Sequence, residues 1–219
     1  MLDVKWLGWC GAVALVLGAG VAGAADEWKT VEDDPVVIKV RPRPDGDGKE
    51  VWAEGDVEAD AYDVQTALRD AESFRLWMPY VKESRRVSTR EDGSWVAYAK
   101  LNLPVITARD YAVHIVEERT LSEDGQGEYL QRWKAAEGEV PERQGVVRLK
   151  HNEGIWQVTS KGEGKAHIVY KFSVDPGGSI PKWAANFGQK DGVLKTLEAV
   201  EERAKKLGQE RKKGSSAGN

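Results

Sequence analysis

Side chains able to do covalent or acid–base work are thinly scattered along this chain. His114, His151 and His167 fall in three separate stretches, and none has a serine, cysteine or second histidine at catalytic spacing. There is no HExxH, GxSxG or phosphate-loop pattern. The paired carboxylates Asp33 and Asp34, and Glu117 and Glu118, read as solvated surface charge rather than acid–base machinery. Cys10 is the only thiol, which removes disulfide frameworks and zinc clusters. No catalytic residue, metal or cofactor is assigned. The sharper signal is Arg109. With 109–118 as a strand, it shares a face with Tyr111, Val113 and Ile115, so its guanidinium starts on the apolar side. A buried cation needs an anion, either a protein carboxylate such as neighbouring Asp110 or a phosphate on a bound molecule.

Short β-like runs surround that strand. Residues 36–40 are nearly continuous Val and Ile, and Val51, Ala53, Gly55 and Val57 alternate with Trp52, Glu54 and Asp56. Between them, two Asp-Gly steps in 42–48 signal a turn. In 95–103 one face carries Trp95, Ala97, Ala99, Leu101 and Leu103, and its alanines leave room above the strand. A proline loop at 102–108 presents Val105 and Ile106. Further strands are expected at 146–150, 155–159 and 167–174, the last with Ile168, Tyr170, Phe172 and Val174 on one face. The parity of Tyr98 and Trp156 stays open.

Asp60 resembles a helix N-cap, with Asp63 as a weak capping-box partner and Val64 and Leu68 on one face of a segment ending near Pro79. A long closing helix opens at Pro181. Its stripe is Trp183, Phe187, Leu194, Leu197, Val200, Ala204 and Leu207. Gly188 and Gly192 interrupt it, each costing roughly 1 kcal/mol relative to alanine. The fold class is α+β, with this helix lying across a curved antiparallel sheet.

The chain has 219 residues, a formal charge of −4 and a pI of about 5.6, which argue for one domain and against a nucleic-acid binder. Nine tryptophans against three phenylalanines favour large flat surfaces around something apolar. Residues 1–25 read as an export signal, with Lys5, an apolar run over 7–21 and small residues near a cleavage site at Ala24 or Ala25. An exported, periplasmic or secreted protein is expected. The domain then covers 26–207, and 208–219 read as a disordered polar tail.

Asp175, Pro176, Gly177, Gly178, Ser179, Ile180, Pro181, Lys182 and Trp183, followed by Asn186, resemble the signature leading into the last helix of START (steroidogenic acute regulatory protein-related lipid transfer) domains. Three more blocks match in order: Leu68, Asp70 and Trp77; Leu103 and Pro104 with Arg109, Asp110 and Tyr111; and 142–150, which is similar to the phosphatidylcholine-transfer branch. The resemblance implies a helix-grip (START/Bet v 1-like) fold, a sheet gripping the C-terminal helix around an apolar tunnel that holds one lipid or sterol. The last helix and the 102–108 loop would be its gate. In phosphatidylcholine-binding relatives the arginine matching Arg109 lies near the lipid phosphate, while the choline-caging aromatics find no assignment here.

The lipid-binding residues expected are Arg109, Trp95, Tyr111, Tyr170, Phe172, Phe187 and Leu194, although each apolar one is also what an ordinary core contains. The chain is read as a non-enzymatic monomer that binds and transfers a lipid, touches membranes transiently and binds no nucleic acid. One rival is a cyclase- or hydrolase-like enzyme, for which Glu54, His167 and Asp110 are the nominees. The other is a lipid-sensing module that presents a surface to a protein partner.

Overall fold

The computed structural model describes residues 27–45, 48–104, 106–178 and 190–217. The expected export signal, Val105, Phe187, Gly188 and the helix opening at Pro181 lie outside them.

The early strands are β1 (Lys29–Glu32), β2 (Val37–Pro42) and β3 (Lys49–Val57). Two helices follow, α1 (Ala61–Arg69) and the single turn α2 (Phe74–Trp77). Then come β4 (Val81–Thr89), β5 (Trp95–Leu101), β6 (Arg109–Arg119), β7 (Glu128–Ala135), β8 (Val147–Arg148), β9 (Asn152–Gly162) and β10 (Lys165–Val174). The chain closes with α3 (Asp191–Ala217). The strands form one sheet in the order β1-β2-β3-β10-β9-β7-β6-β5-β4, antiparallel throughout, with β8 pairing parallel to β6. This is the helix-grip arrangement expected from the sequence.

Alternation along the strands explains the two layers. Val51 and Ala53 of β3 and Ile168 of β10 turn inward to pack with Val64 and Leu68 of α1. Val193, Leu197, Val200 and Ala204 of α3 complete that core, all at most 5% exposed. A Val or Leu buried this fully contributes about 1.5–3 kcal/mol. The opposite parity of β5 and β6 packs Val96, Tyr98 and Ala112 against Val140, so part of the outer face is also covered.

Several boundaries differ from expectation. The strand expected over 95–103 stops at Leu101, and that over 146–150 shortens to two residues. Strand β7 was not anticipated. Asp60 stands at the N-cap of α1 but its side chain does not cap the helix. Its carboxylate accepts from the Gly164 N–H at 2.8 Å and from Arg211. Asp63 is buried and pairs with Arg211 at 2.8 Å. Residues 208–217, expected as tail, therefore continue α3, held by an ion pair to a helix distant in sequence. Gly208 permits this approach, since a Cβ there would stand 2.6 Å from an Asp63 oxygen.

Candidate functional site

A cavity of about 710 Å³ opens between the inward face of the sheet, α2 and the start of α3. Its size is typical of small-molecule sites. Ala97 and Ala99 line it as expected, and larger residues there would fill the space. Arg109, Tyr111, Val113 and Ile115 of β6 all reach it, confirming the strand parity read from sequence. Leu103 and Ile106 of the 102–108 loop and Gly192, Val193 and Thr196 of α3 complete its rim.

Tyr170 and Phe172 form an aromatic wall with Trp133 and Trp156. Trp156 stacks flat on Tyr170 at 3.7 Å between centroids and 4° between planes, because β9 and β10 pair these residues directly. Trp133 lies 6.0 Å from Tyr170 and donates its indole N–H to Asn152 at 3.0 Å. Gly154 stands opposite Trp133 across the β7–β9 pair, and a Cβ there would collide with that ring and with the Lys171 carbonyl. Gln131, which also lines the cavity, donates to the hydroxyl of the core residue Tyr129 at 2.8 Å. Burial and the neighbouring Glu117 carboxylate push that phenol well above its usual range.

Arg109 is 3% exposed. Among the described residues its guanidinium donates only to carbonyls: Thr107, Pro176 at 3.4 Å and Gly177 at 3.3 Å. Gly177 and Gly178 take φ of +60° and +62°, a left-handed bend glycine adopts without strain, which brings this segment against the arginine. The Asp175 carboxylate braces the bend by accepting from the Gly177 N–H at 2.9 Å. Burial alone lowers the Arg109 pKa.

Asp110 is not its partner. On the outer face, Asp110 accepts a bidentate pair from Arg148 at 2.7 and 3.1 Å and the Tyr98 hydroxyl at 3.0 Å. Thus the internal carboxylate nominated for Arg109 is engaged across the sheet.

The other expected residues divide. Tyr111, Tyr170 and Phe172 line the cavity, and Phe187 lies outside the described residues. Trp95 does not line it. Its face is as expected, but it sits at the end of β5, packed with Ala71, Val113 and Ile115 beneath Arg86. Leu194 also misses the cavity and packs on the main core, while its helix neighbours Val193 and Thr196 point in. Trp133, Gln131 and Asn152 were missed along with β7 and the start of β9. Trp156, left open from sequence, faces inward.

Of the enzymatic nominees, Asp110 is held on the outer face and His167 pairs with Asp56 at 2.6 Å on an exposed surface. Glu54 shares no parity with Val51 or Ala53 and is not on the cavity wall. Among the described residues, no three His, Cys, Asp or Glu side chains gather where a metal ion could be held.

Residues 57–201 match the family described as polyketide cyclase / dehydrase and lipid transport. A STAR-related lipid transfer protein from Xanthomonas axonopodis has a similar structure. It is 28% identical, with a TM-score of 0.69 over 82% of this chain and 99% of that one. An uncharacterised protein of Pseudomonas aeruginosa is 28% identical over 88% of this chain and 94% of its own length. Phosphatidylcholine transfer protein from Rattus norvegicus is 32% identical over 57% of this chain, a match spanning 58% of that relative.

Proposed function

The chain belongs to the polyketide cyclase / dehydrase and lipid transport family as a START domain, and from that premise we propose that it holds one lipid in its cavity and carries it between membranes. The observation that carries this reading is Arg109, a buried cation facing an apolar cavity whose described partners are carbonyls alone. Carbonyl dipoles solvate a guanidinium but do not neutralise it, so an anionic lipid group completes the site. Apolar burial along the walls supplies most of the affinity, at about 25 cal/mol per Å² before ordering costs.

The same guanidinium supports a gate. It joins Thr107 of the 102–108 loop to Pro176 and Gly177, which precede the last helix. An anion arriving at Arg109 competes for the hydrogens that hold those two segments together. Lipid entry and loop release thereby become linked steps.

The expected export signal supports work in an exported compartment, where a monomer meets membranes transiently. Cell fractionation with an antibody against the folded domain tests that placement, and a purely cytoplasmic signal overturns it.

The central experiment is transfer of a labelled lipid from donor to acceptor vesicles by the purified chain alone. Catalysed transfer is expected. Stable lipid uptake without transfer favours the sensing module, and no uptake overturns the lipid reading. Turnover of a bound apolar substrate would move weight to an enzyme.

A further inference from the structure

Two tyrosines of the cavity carry hydroxyls that the fold leaves unmatched. A phenol withdrawn from bulk water ordinarily finds a hydrogen-bond partner. Tyr98 donates to Asp110 at 3.0 Å, and the Tyr129 hydroxyl accepts from Gln131 at 2.8 Å. Tyr80, at the rim, accepts from Lys195 at 3.4 Å. Tyr111 and Tyr170 also line the cavity, but among the described residues no group bonds to either hydroxyl. Neither oxygen is walled in, so both open on the space a ligand would fill.

The sheet sets where these two hydroxyls stand. Tyr111 lies two residues beyond Arg109 on the inward face of β6, about 7 Å along the strand. Directly across from it on β5 is Ala99, whose small side chain leaves room beside the ring. Tyr170 projects from β10, with β9 and β7 between it and β6 in the sheet. Its ring is fixed by the flat stack on Trp156 at 3.7 Å and by Phe172 at 4.7 Å. Burial raises the Tyr170 pKa and the Tyr111 phenol raises it further, which brings the two tips into one neighbourhood.

A plain hydrocarbon entering this space would strip both hydroxyls of water and return no acceptor, a desolvation cost for each. Oxygens within the apolar body of the ligand remove that cost. Arg109 sets the register, because an anionic group held there leaves the atoms a few bonds further along beside Tyr111. In a glycerophospholipid those atoms are the esters that join the acyl chains to glycerol. An ester carbonyl accepts and brings no donor of its own to satisfy.

We infer that Tyr111 and Tyr170 donate to the ester carbonyls of an acylated lipid, so that the cavity selects ester-linked over ether-linked chains. This rests on the proposed lipid-binding role and adds a specificity site within it, separate from the anion at Arg109.

Native mass spectrometry of the full chain tests it. The protein is incubated with vesicles holding phosphatidylglycerol and phosphatidylcholine, each as the dioleoyl ester and the di-O-oleyl ether in equal amounts, together with cholesterol. Ester and ether forms share head group and chain length but differ in mass. The ester form is expected to dominate the bound lipid several-fold, the scale of one or two neutral hydrogen bonds. Tyr111→Phe and Tyr170→Phe keep the ring and remove only the hydroxyl. Each should lower the ester-to-ether ratio a few-fold while total lipid uptake persists. Thermal unfolding of the lipid-free variants gives a second readout, and unchanged midpoints are expected. A drop of about 2–4 °C, the mark of a lost bond within the protein, overturns the assignment. Equal occupancy by ester and ether forms, or a dominant cholesterol adduct, overturns this inference and leaves lipid binding standing. A protein that takes up none of these lipids overturns both.

Discussion

Arg109 and Asp110 are adjacent in β6 yet hold their charges on opposite faces of the sheet. The arginine faces the cavity among carbonyls, and the aspartate is clamped on the outer face by Arg148 and Tyr98. One strand thus carries a cation turned toward the cavity beside an anion fully used by the fold.

Substitutions at these two positions should separate function from stability. Asp110→Asn removes one partner of a pair in which the Arg148 side chain is only 10% exposed, so a loss of about 3 kcal/mol is expected. Arg109→Met removes a buried cation that has no described carboxylate partner, and should change stability by no more than about 1 kcal/mol. Urea unfolding midpoints measure both. The reverse ranking would mean that Arg109, not Asp110, is the structural charge.

Alkali should weaken the fold through its phenols. Tyr98 is pushed up to about 12, first by burial and then by its bond to Asp110, and Tyr111 reaches about 12 through burial. Both lie above the value of about 10 for an unfolded tyrosine. Stability from these groups is therefore full below pH 10 and is lost as the pH rises toward 12. Ultraviolet titration should find late-ionising phenols, fewer by one in Tyr98→Phe. All six tyrosines ionising together near pH 10 would contradict the burial described.

Gly208→Ala tests helix packing against helix propensity. Alanine favours an isolated helix by about 1 kcal/mol, but the added methyl meets the Asp63 carboxylate that Arg211 holds in place. A net loss of about 1 kcal/mol is expected from overpacking. In an Asp63→Ala background the same change should become stabilising. A double-mutant cycle read by thermal unfolding carries the test, and stabilisation in both backgrounds would remove the contact from the account.

Gly192 lines the cavity in the first turn of α3. If its backbone freedom serves the gate, Gly192→Ala should slow lipid exchange several-fold while raising helix stability by about 1 kcal/mol. Stopped-flow exchange of a fluorescent lipid decides this. An unchanged rate leaves the glycine as a packing residue.

Strand parity was the legible part of the site. It put Arg109, Tyr111, Tyr170 and Phe172 on the face that lines the cavity, because a period of two needs only local sequence. Parity reports a face and not a depth, so Trp95 was assigned to a wall that it lies beyond. Helical phase is less forgiving, and an error of one residue turns a side chain by about 100°, which separates Leu194 from Val193. Strand β7 was hidden because Gln131, Arg132 and Lys134 break its apolar pattern. Its neighbours in the sheet, including Gly154 opposite Trp133, are what make it a strand. Asp63 looked like a local capping residue, and nothing near it in sequence announces an arginine 148 residues later.

That last separation bears on how the protein is made. As the chain leaves the ribosome, α1 emerges with Asp63 committed to a buried position, and its counter-charge follows 148 residues later. The domain cannot close around a neutralised Asp63 until Arg211 is free of the exit tunnel. Nascent chains arrested with Arg211 still inside should be cleaved readily by protease, and protection should arise abruptly once it is released. Protection appearing after release of Ala204 alone would mean that the core closes without its final ion pair.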